Sequence, residues 1–342
     1  MKRFQLWMAF LLLILFSILL AASYFAREIF VPVSLKKNKV LVVVPPGSSC
    51  AQIADELSHK GLIRSAFSFR LLSRFTGAQS KMKAGTYRFS PSYNEVEILR
   101  RLVLGKSILI KVTIPEGFDL RQISELLNKK GVVSKGAFLA AARKARLHLP
   151  QIHETISGLE GFLFPNTYFF SPRMTPQEVF KPMTQEFKKQ VLPLYEKAHP
   201  SMSLRKIIIL ASLVEKEAKI EKDRPLIAAV YYNRLRKKMP LQCDATIEYL
   251  LPEETRHLTG KDLSIKSLYN TYLHPGFPPG PIANPGLPSI KAALYPAHVP
   301  YLYYVANGKG GHRFSANYAG QLHNIHLYDD WLRARSQKIG SQ

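Results

Sequence analysis

VVVPPGSSCAQIADELSHKGLI, residues 42–63, returns 70 residues later as VTIPEGFDLRQISELLNKKGVV, residues 112–133. Val42, Pro45, Gly47, Gln52, Ile53, Leu57, Lys60 and Gly61 recur as Val112, Pro115, Gly117, Gln122, Ile123, Leu127, Lys130 and Gly131. Each copy reads as a β-run, a Pro-x-Gly turn, an amphipathic helix and a glycine that stops it. Between the copies, KAGTYRFS (83–90) reads as another strand. Two copies are too few for a solenoid. They predict a small α/β binding module over 40–110 and a related linking α/β segment over 111–150, within an α+β chain.

Upstream, residues 6–26 (LWMAFLLLILFSILLAASYFA) carry no charge and no proline. A helix of that length spans roughly 30 Å, the thickness of a bilayer core. A cleaved signal peptide is the rival reading, but its apolar part runs only about 7–15 residues. Residues 1–5 then form a short tail. Lys2 and Arg3 precede the span while Arg27, Lys36, Lys37 and Lys39 follow it, so charge counting does not place the N-terminus inside.

The rest of the composition narrows the partners. A 46% hydrophobic content is ample for packed cores and argues against disorder, and 342 residues suit about two domains. The net charge of +24 attracts a polyanion, whether nucleic acid, anionic lipid or an acidic envelope polymer. No nucleic-acid motif accompanies the charge, and the span argues against that partner. Cys50 and Cys243 match no zinc, redox or disulfide-rich spacing and read as two buried free thiols, with a single disulfide as the alternative. His323 and His326 lack an acidic or cysteine partner motif, so neither a metal nor a cofactor is expected.

From about residue 151 to 335 the texture is that of a second, chemistry-bearing domain. GLEGFLFPNTYFF (158–170) is aromatic-rich, and Pro172 and Pro176 bracket a turn before a helix. Residues 201–221 and 225–238 read as two helices. Beyond Pro240 come short strands and loops, then YLYYVAN (301–307) as an apolar strand and GKGGH (308–312) as a hairpin turn.

One carboxylate in this region is misplaced. In SLRKIIILASLVEKEAKIE (203–221), Ser203 is the expected N-cap. At 3.6 residues per turn, Glu217 lies about 20° from Leu210, inside the stripe made by Ile207, Leu210, Val214 and Ala218. Glu215 lies about 140° away at the stripe's edge, and Arg205, Ser212 and Lys216 form the polar face. A carboxylate in an apolar setting is costly unless it is paired or neutral, and burial favours the protonated form. Such a group suits a general acid, though a helix-end glutamate meeting solvent or an arginine fits the same spacing. The following segment brings Asn233, Arg234, Gln242, Asp244 and Thr246 close behind it. YNTYLHPGFPPGPIANPG (269–286) is a stiff Pro/Gly loop whose Tyr269, Asn270, Tyr272 and Asn284 suit an extended polar ligand, or a rigid connector.

Together these segments resemble the endolytic murein transglycosylases, the MltG or YceG-like family. The likeness rests on the PPG turn and KAGTYRF, EGFLFPNTY (160–168), LASLVEKE (210–217), NRLRKKMPLQCDATIEY (233–249), YNTY with its loop, and YLYYVANGKGGHRF (301–314). The resemblance implies a cytoplasmic tail, a single inner-membrane span, a LysM-like module and a catalytic domain on the extracytoplasmic (periplasmic) side. It implies that Glu217, the second glutamate of Glu-Lys-Glu, is the catalytic acid/base. The implied reaction cuts the β-1,4 bond between N-acetylmuramic acid and N-acetylglucosamine in peptidoglycan strands and leaves 1,6-anhydro ends. Partnership with glycan-polymerising synthases is implied as well. Gln242, Asp244, Thr246, Tyr269, Asn270, Tyr272 and Asn284 are the expected sugar-binding residues. Asn166, Cys243 and Ala245 depart from the Asp, Ser/Thr and Pro common in the family. A hydrolase in which Asp244 or Glu221 activates water, and a non-catalytic glycan-binding scaffold, are the competing functions.

Overall fold

The computed structural model describes residues 2–251 and 258–340 and divides into two units, 1–110 and 111–342. Met1, the head of the expected tail, lies outside the described residues. The first unit begins with α1 (Lys2–Phe30). Within its Trp7–Phe30 stretch an 18-residue window has a mean hydropathy of 2.5 and buries none of its residues. Among the described residues it is the one helix long and apolar enough to cross a membrane. Its exit is tied down by Arg64, which donates to the carbonyls of Val31 and Pro32, and by Phe67 packed on Phe25.

There follow β1 (Val40–Val44), α2 (Cys50–His59), α3 (Ala66–Phe75), β2 (Gly85–Phe89) and α4 (Glu95–Leu104). β1 and β2 pair antiparallel, with Val40 opposite Phe89 and Val44 opposite Gly85. Alternation along β1 sends Val42 and Val44 into a core with Ile53, Leu57, Phe69, Tyr87 and Leu102, and leaves Leu41 and Val43 outside.

The second unit opens with β3 (Ile110–Thr113), α5 (Leu120–Lys129) and α6 (Lys135–Lys144). A hairpin of β4 (Arg146–Leu149) and β5 (Glu154–Ser157) comes next, and then β6 (Thr167–Phe170), which pairs with β3. The strand–helix–helix–strand order of the first unit is thus repeated, with a hairpin inserted before the closing strand.

The chemistry of the repeat is local. Ser49 and Gln52 form a reciprocal capping box at the start of α2, and Asp119 and Gln122 do the same for α5. Gly61 and Gly131 leave their helices at φ of 64° and 72°, a left-handed conformation strained for any side chain. Both glycine amides donate over 2.9 Å to the carbonyl three residues back. Because β6 lies beyond residue 150, the segment expected as a linker shares one unit with the residues that follow it.

The remaining elements are α7 (Pro176–Ala198), α8 (Leu204–Glu217), α9 (Arg224–Arg236), α10 (Asp244–Glu248), α11 (Leu287–Leu294), the antiparallel hairpin β7 (Tyr303–Ala306) and β8 (His312–Ser315), and α12 (Tyr318–Gly340). α8 packs against α9 and α11 and is enclosed on nearly every side from Ile207 to Val214. Three local expectations are corrected. Ser203 makes no capping bond; the Leu204 amide donates instead to Glu154, 2.8 Å away. Ser212 is fully buried, because its hydroxyl accepts the Ile282 amide of the Pro/Gly loop that covers the expected polar face. No strand forms between Pro240 and β7 among the described residues; α10 and α11 occupy that stretch, and 252–257 lie outside them. Cys50 and Cys243 are both buried and free.

Candidate active site

Glu217 is the last residue of α8, where the backbone turns away at Ala218 in an extended conformation. The carboxyl group therefore projects beyond the helix barrel into a cleft of about 410 Å³ between α8, α10 and β7. Cys243 Sγ donates to its Oε1 over 3.2 Å. The hydroxyl of Tyr304 also bonds to it, and Tyr304 is held 2.9 Å from the hydroxyl of Tyr231. Burial is the largest influence and pushes the Glu217 carboxyl up from the ordinary range. The charges of Asp244 and Glu248 push the same way, while the Cys243 and Tyr304 bonds oppose them, and the net direction is up. This is the setting of an acid kept protonated.

The wall opposite is the Gln242–Thr246 strip. Gln242 has a φ of 49°, a costly conformation for a residue with a side chain. Four bonds hold it there. Its amide donates to the Thr271 carbonyl at 3.0 Å, and the Cys243 amide to Thr271 Oγ1 at 3.0 Å. Buried Arg234 donates through Nη1 to the Leu241 carbonyl and to Gln242 Oε1, at 2.9 and 3.0 Å. The result presents Gln242, Asp244 and Tyr272 to the cleft beside Glu217, with the Tyr272 hydroxyl donating to Asp244.

The other expected sugar ligands lie elsewhere. Thr246 is fully buried between the Cys243 carbonyl and Thr271. Asn270 is fully buried, donating to the carbonyls of Leu263 and Ile265 and accepting from the Tyr272 amide. Asn284 is fully buried, bonded to the Leu163 amide, the Phe118 carbonyl and Glu160. These three polar groups hold loops in place, and reaching a ligand would require breaking those bonds. Tyr269 lines a different cleft, around Glu160.

Several members of the site were not singled out from sequence. Tyr304, read only as part of an apolar strand, touches Glu217. His312, read as the end of a turn, lines the cleft, with its Nδ1 and its amide on Asp223 at 3.0 and 2.8 Å. The adjacent tyrosines Tyr303 and Tyr304, which put one hydroxyl on each face of the strand, were the available signal. The partner of Glu217 in the Glu-Lys-Glu sequence has a different surrounding. Glu215 is almost fully buried, 3.7 Å from Arg224, and accepts the amide of Gly286 at the head of α11. Placed at the stripe's edge by helical spacing, it joins α8, α9 and α11.

With this geometry in view, the sequence matches the YceG-like family over residues 42–326. The chain belongs to that family. An endolytic murein transglycosylase of Bacillus subtilis (strain 168) is 33% identical over 84% of this chain and 85% of its own length. One from Streptococcus pneumoniae serotype 2 is 29% identical over 89% of this chain, which spans 62% of that protein. The crystal structure of a YceG-like protein from Listeria monocytogenes covers 84% of this chain and 99% of its own, at a TM-score of 0.56 and 33% identity. The matched YceG-like region includes the whole Glu217 cleft.

Proposed function

We propose that this protein is a membrane-anchored endolytic lytic transglycosylase that cleaves the MurNAc–GlcNAc β-1,4 bond of peptidoglycan and leaves 1,6-anhydro-MurNAc ends. The observation that carries the reading is the Glu217 carboxyl, buried and pushed toward its protonated form where it faces an open polar cleft. Protonated Glu217 donates to the glycosidic oxygen as an oxocarbenium-like centre develops on the muramyl ring. The resulting carboxylate, steadied by Cys243 and Tyr304, takes the proton of the muramyl 6-hydroxyl while that oxygen closes the anhydro ring. One group is acid and then base, so neither water nor a carboxylate nucleophile is consumed. Gln242, Asp244 and Tyr272 contact sugar; Thr246, Asn270 and Asn284 position the loops that present them.

The names of the relatives support the substrate class. The strand–helix–helix–strand order of residues 40–89 supports a LysM-like glycan-binding module, and α1 supports a single membrane span; an extracytoplasmic catalytic unit at the inner membrane follows from the proposed glycan substrate. Cutting close to the membrane suits termination of strands as synthases make them. The test is the chemistry of the ends. Isolated glycan digested by the protein and analysed by mass spectrometry should gain anhydro ends, and the folded Glu217→Gln variant should produce almost none. Reducing ends would assign a hydrolase with Asp244 activating water. Ends from neither protein, with glycan binding intact, would assign a scaffold.

A further inference from the structure

A second cleft, of about 440 Å³, lies in the same unit and takes no part in the chemistry above. Arg121, Arg143, Arg205, Tyr249 and Tyr269 line it, with Glu160 among them. The tyrosine rings sit 5.2 Å apart, and the Arg121 guanidinium lies over Tyr249 at 5.1 Å. We propose that this cleft binds a free carboxylate of the peptide stems carried by the strand that Glu217 cuts, a reading that rests on the proposed glycan substrate.

Three features favour an acidic ligand of this kind. First, guanidinium donors are left over. Arg205 uses two of its five N–H groups, on the carbonyls of Ser157 and Pro279. Arg143, exposed at the end of α6, makes no hydrogen bond or ion pair among the described residues. Arg121 is neutralised by Asp119, so two uncompensated cations face the opening. Planar donors of this type suit carboxylates.

Second, the cleft is shaped for close approach. Gly280 stands where a Cβ would come within 3.0 Å of the Tyr269 hydroxyl and 3.4 Å of Arg205 Nη2, so its lack of a side chain leaves both polar groups accessible. Glu160, pushed up to about 8 chiefly by burial and next by Asp119, adds little negative charge near neutral pH.

Third, the placement suits a branched polymer. Asp244, the first residue of α10, faces the Glu217 cleft, and Tyr249, the residue after its end, faces this one. Five helical residues rise by only about 8 Å. A strand held over Glu217 therefore brings its side branches within reach of the arginines, while the sugar backbone itself carries no charge at its hydroxyls for them to recognise.

The test uses the full-length Glu217→Gln protein in detergent, so that binding is read without turnover. Its probes are a muramyl tripeptide with free carboxylates and the same compound with those carboxylates amidated. The free acid should bind about tenfold more tightly than the amide, the scale of one charge-assisted bond. Adding Arg143→Ala should weaken the acid by about the same factor and leave the amide unchanged. The control substitution Arg333→Ala, on the exposed surface of α12, should alter neither. Equal affinity for acid and amide, no effect of Arg143→Ala, or equal displacement of the tripeptide by inorganic phosphate would each overturn the proposal. Because no cleavage is measured, a failure of the transglycosylase reading would show separately, in the absence of new glycan ends from wild-type protein.

Discussion

The clefts around Glu217 and Glu160 each hold a carboxylic acid pushed up by burial, bonded to a tyrosine and raised further by a nearby aspartate. Their wiring separates them. Glu160 accepts from the Leu120 amide with both oxygens, from the Tyr249 hydroxyl and from Asn284 Nδ2. Those partners come from three separate segments, so Glu160 is a structural knot whose bonding positions are occupied. Glu217 accepts only the Cys243 thiol and the Tyr304 hydroxyl among the described residues, and it ends a helix at an open cleft. A raised pKa thus reports burial in both places; spare bonding capacity at an accessible atom distinguishes the acid that can exchange a proton with a ligand.

The largest effect should come from the pair of amide substitutions that tests this contrast. Glu217→Gln should reduce turnover by roughly 100- to 10,000-fold, the usual contribution of a general acid/base. Glu160→Gln should stay within about tenfold of wild type, its cost falling on stability instead. Rates of new end formation, measured after melting curves establish that each variant is folded, decide it. A folded but inactive Glu160→Gln protein would break the distinction.

Next in size is Glu215→Gln. It keeps a bond to the Gly286 amide but leaves Arg224 without its buried counter-charge. A loss of about 1–3 kcal/mol in unfolding free energy is expected, with turnover of the folded fraction much less affected than in Glu217→Gln. Denaturant titration with activity measured on the same samples separates the two effects, and an inactive, fully stable Glu215→Gln variant would move the catalytic role to the wrong glutamate.

A subtler change sharpens the description of the Glu217 cleft. The Cys243 thiol pulls the Glu217 carboxyl down against burial. In Cys243→Ala that pull is gone, so the limb of the pH–rate profile belonging to Glu217 should move to higher pH. Cys243→Ser, which keeps a donor, should move it less. A limb that stays fixed in both variants would mean that the thiol does not bond the reacting carboxyl.

The last test concerns stability and pH. In the folded protein Glu160 holds its proton up to about 8, against an ordinary value of 4.5. Between those values the folded state binds more protons than the unfolded one, so stability falls as pH rises through the window and levels off above it. Melting temperatures of wild type minus Glu160→Gln should decline from pH 5 to pH 8 and then flatten. A difference that rises with pH would reverse the sign.

Much of this was legible because it is local. The capping residues of α2 and α5, and the glycines that end them, act within a few residues of chain, so the repeat could be read without a structure. The stripe on α8 that singled out Glu217 is periodicity alone, and Ile207, Leu210 and Val214 are indeed fully buried. Ser212 was misread for a physical reason. Helical spacing places it on a polar face, and only the distant Pro/Gly loop, through Ile282, covers that face. Asn270 and Asn284 have the amides a sugar site needs, and composition cannot tell an amide that meets a ligand from one spent on its own backbone.

By itself, then, the sequence determined the apolar N-terminal helix, the repeated strand–turn–helix pattern and the single misplaced glutamate, because each follows from short-range periodicity and backbone preference. Tertiary structure alone decided what surrounds that glutamate. Cys243 reaches it from a left-handed turn braced by Arg234 and Thr271, and Tyr304 from a strand near the end of the chain. It also sent Tyr269 into the second cleft while Tyr272, three residues on, entered the first. The two tyrosines part company because the backbone of their loop is fixed by the buried amide of Asn270, which bonds to segments on both sides, and no property of a tyrosine encodes which way such a loop will face.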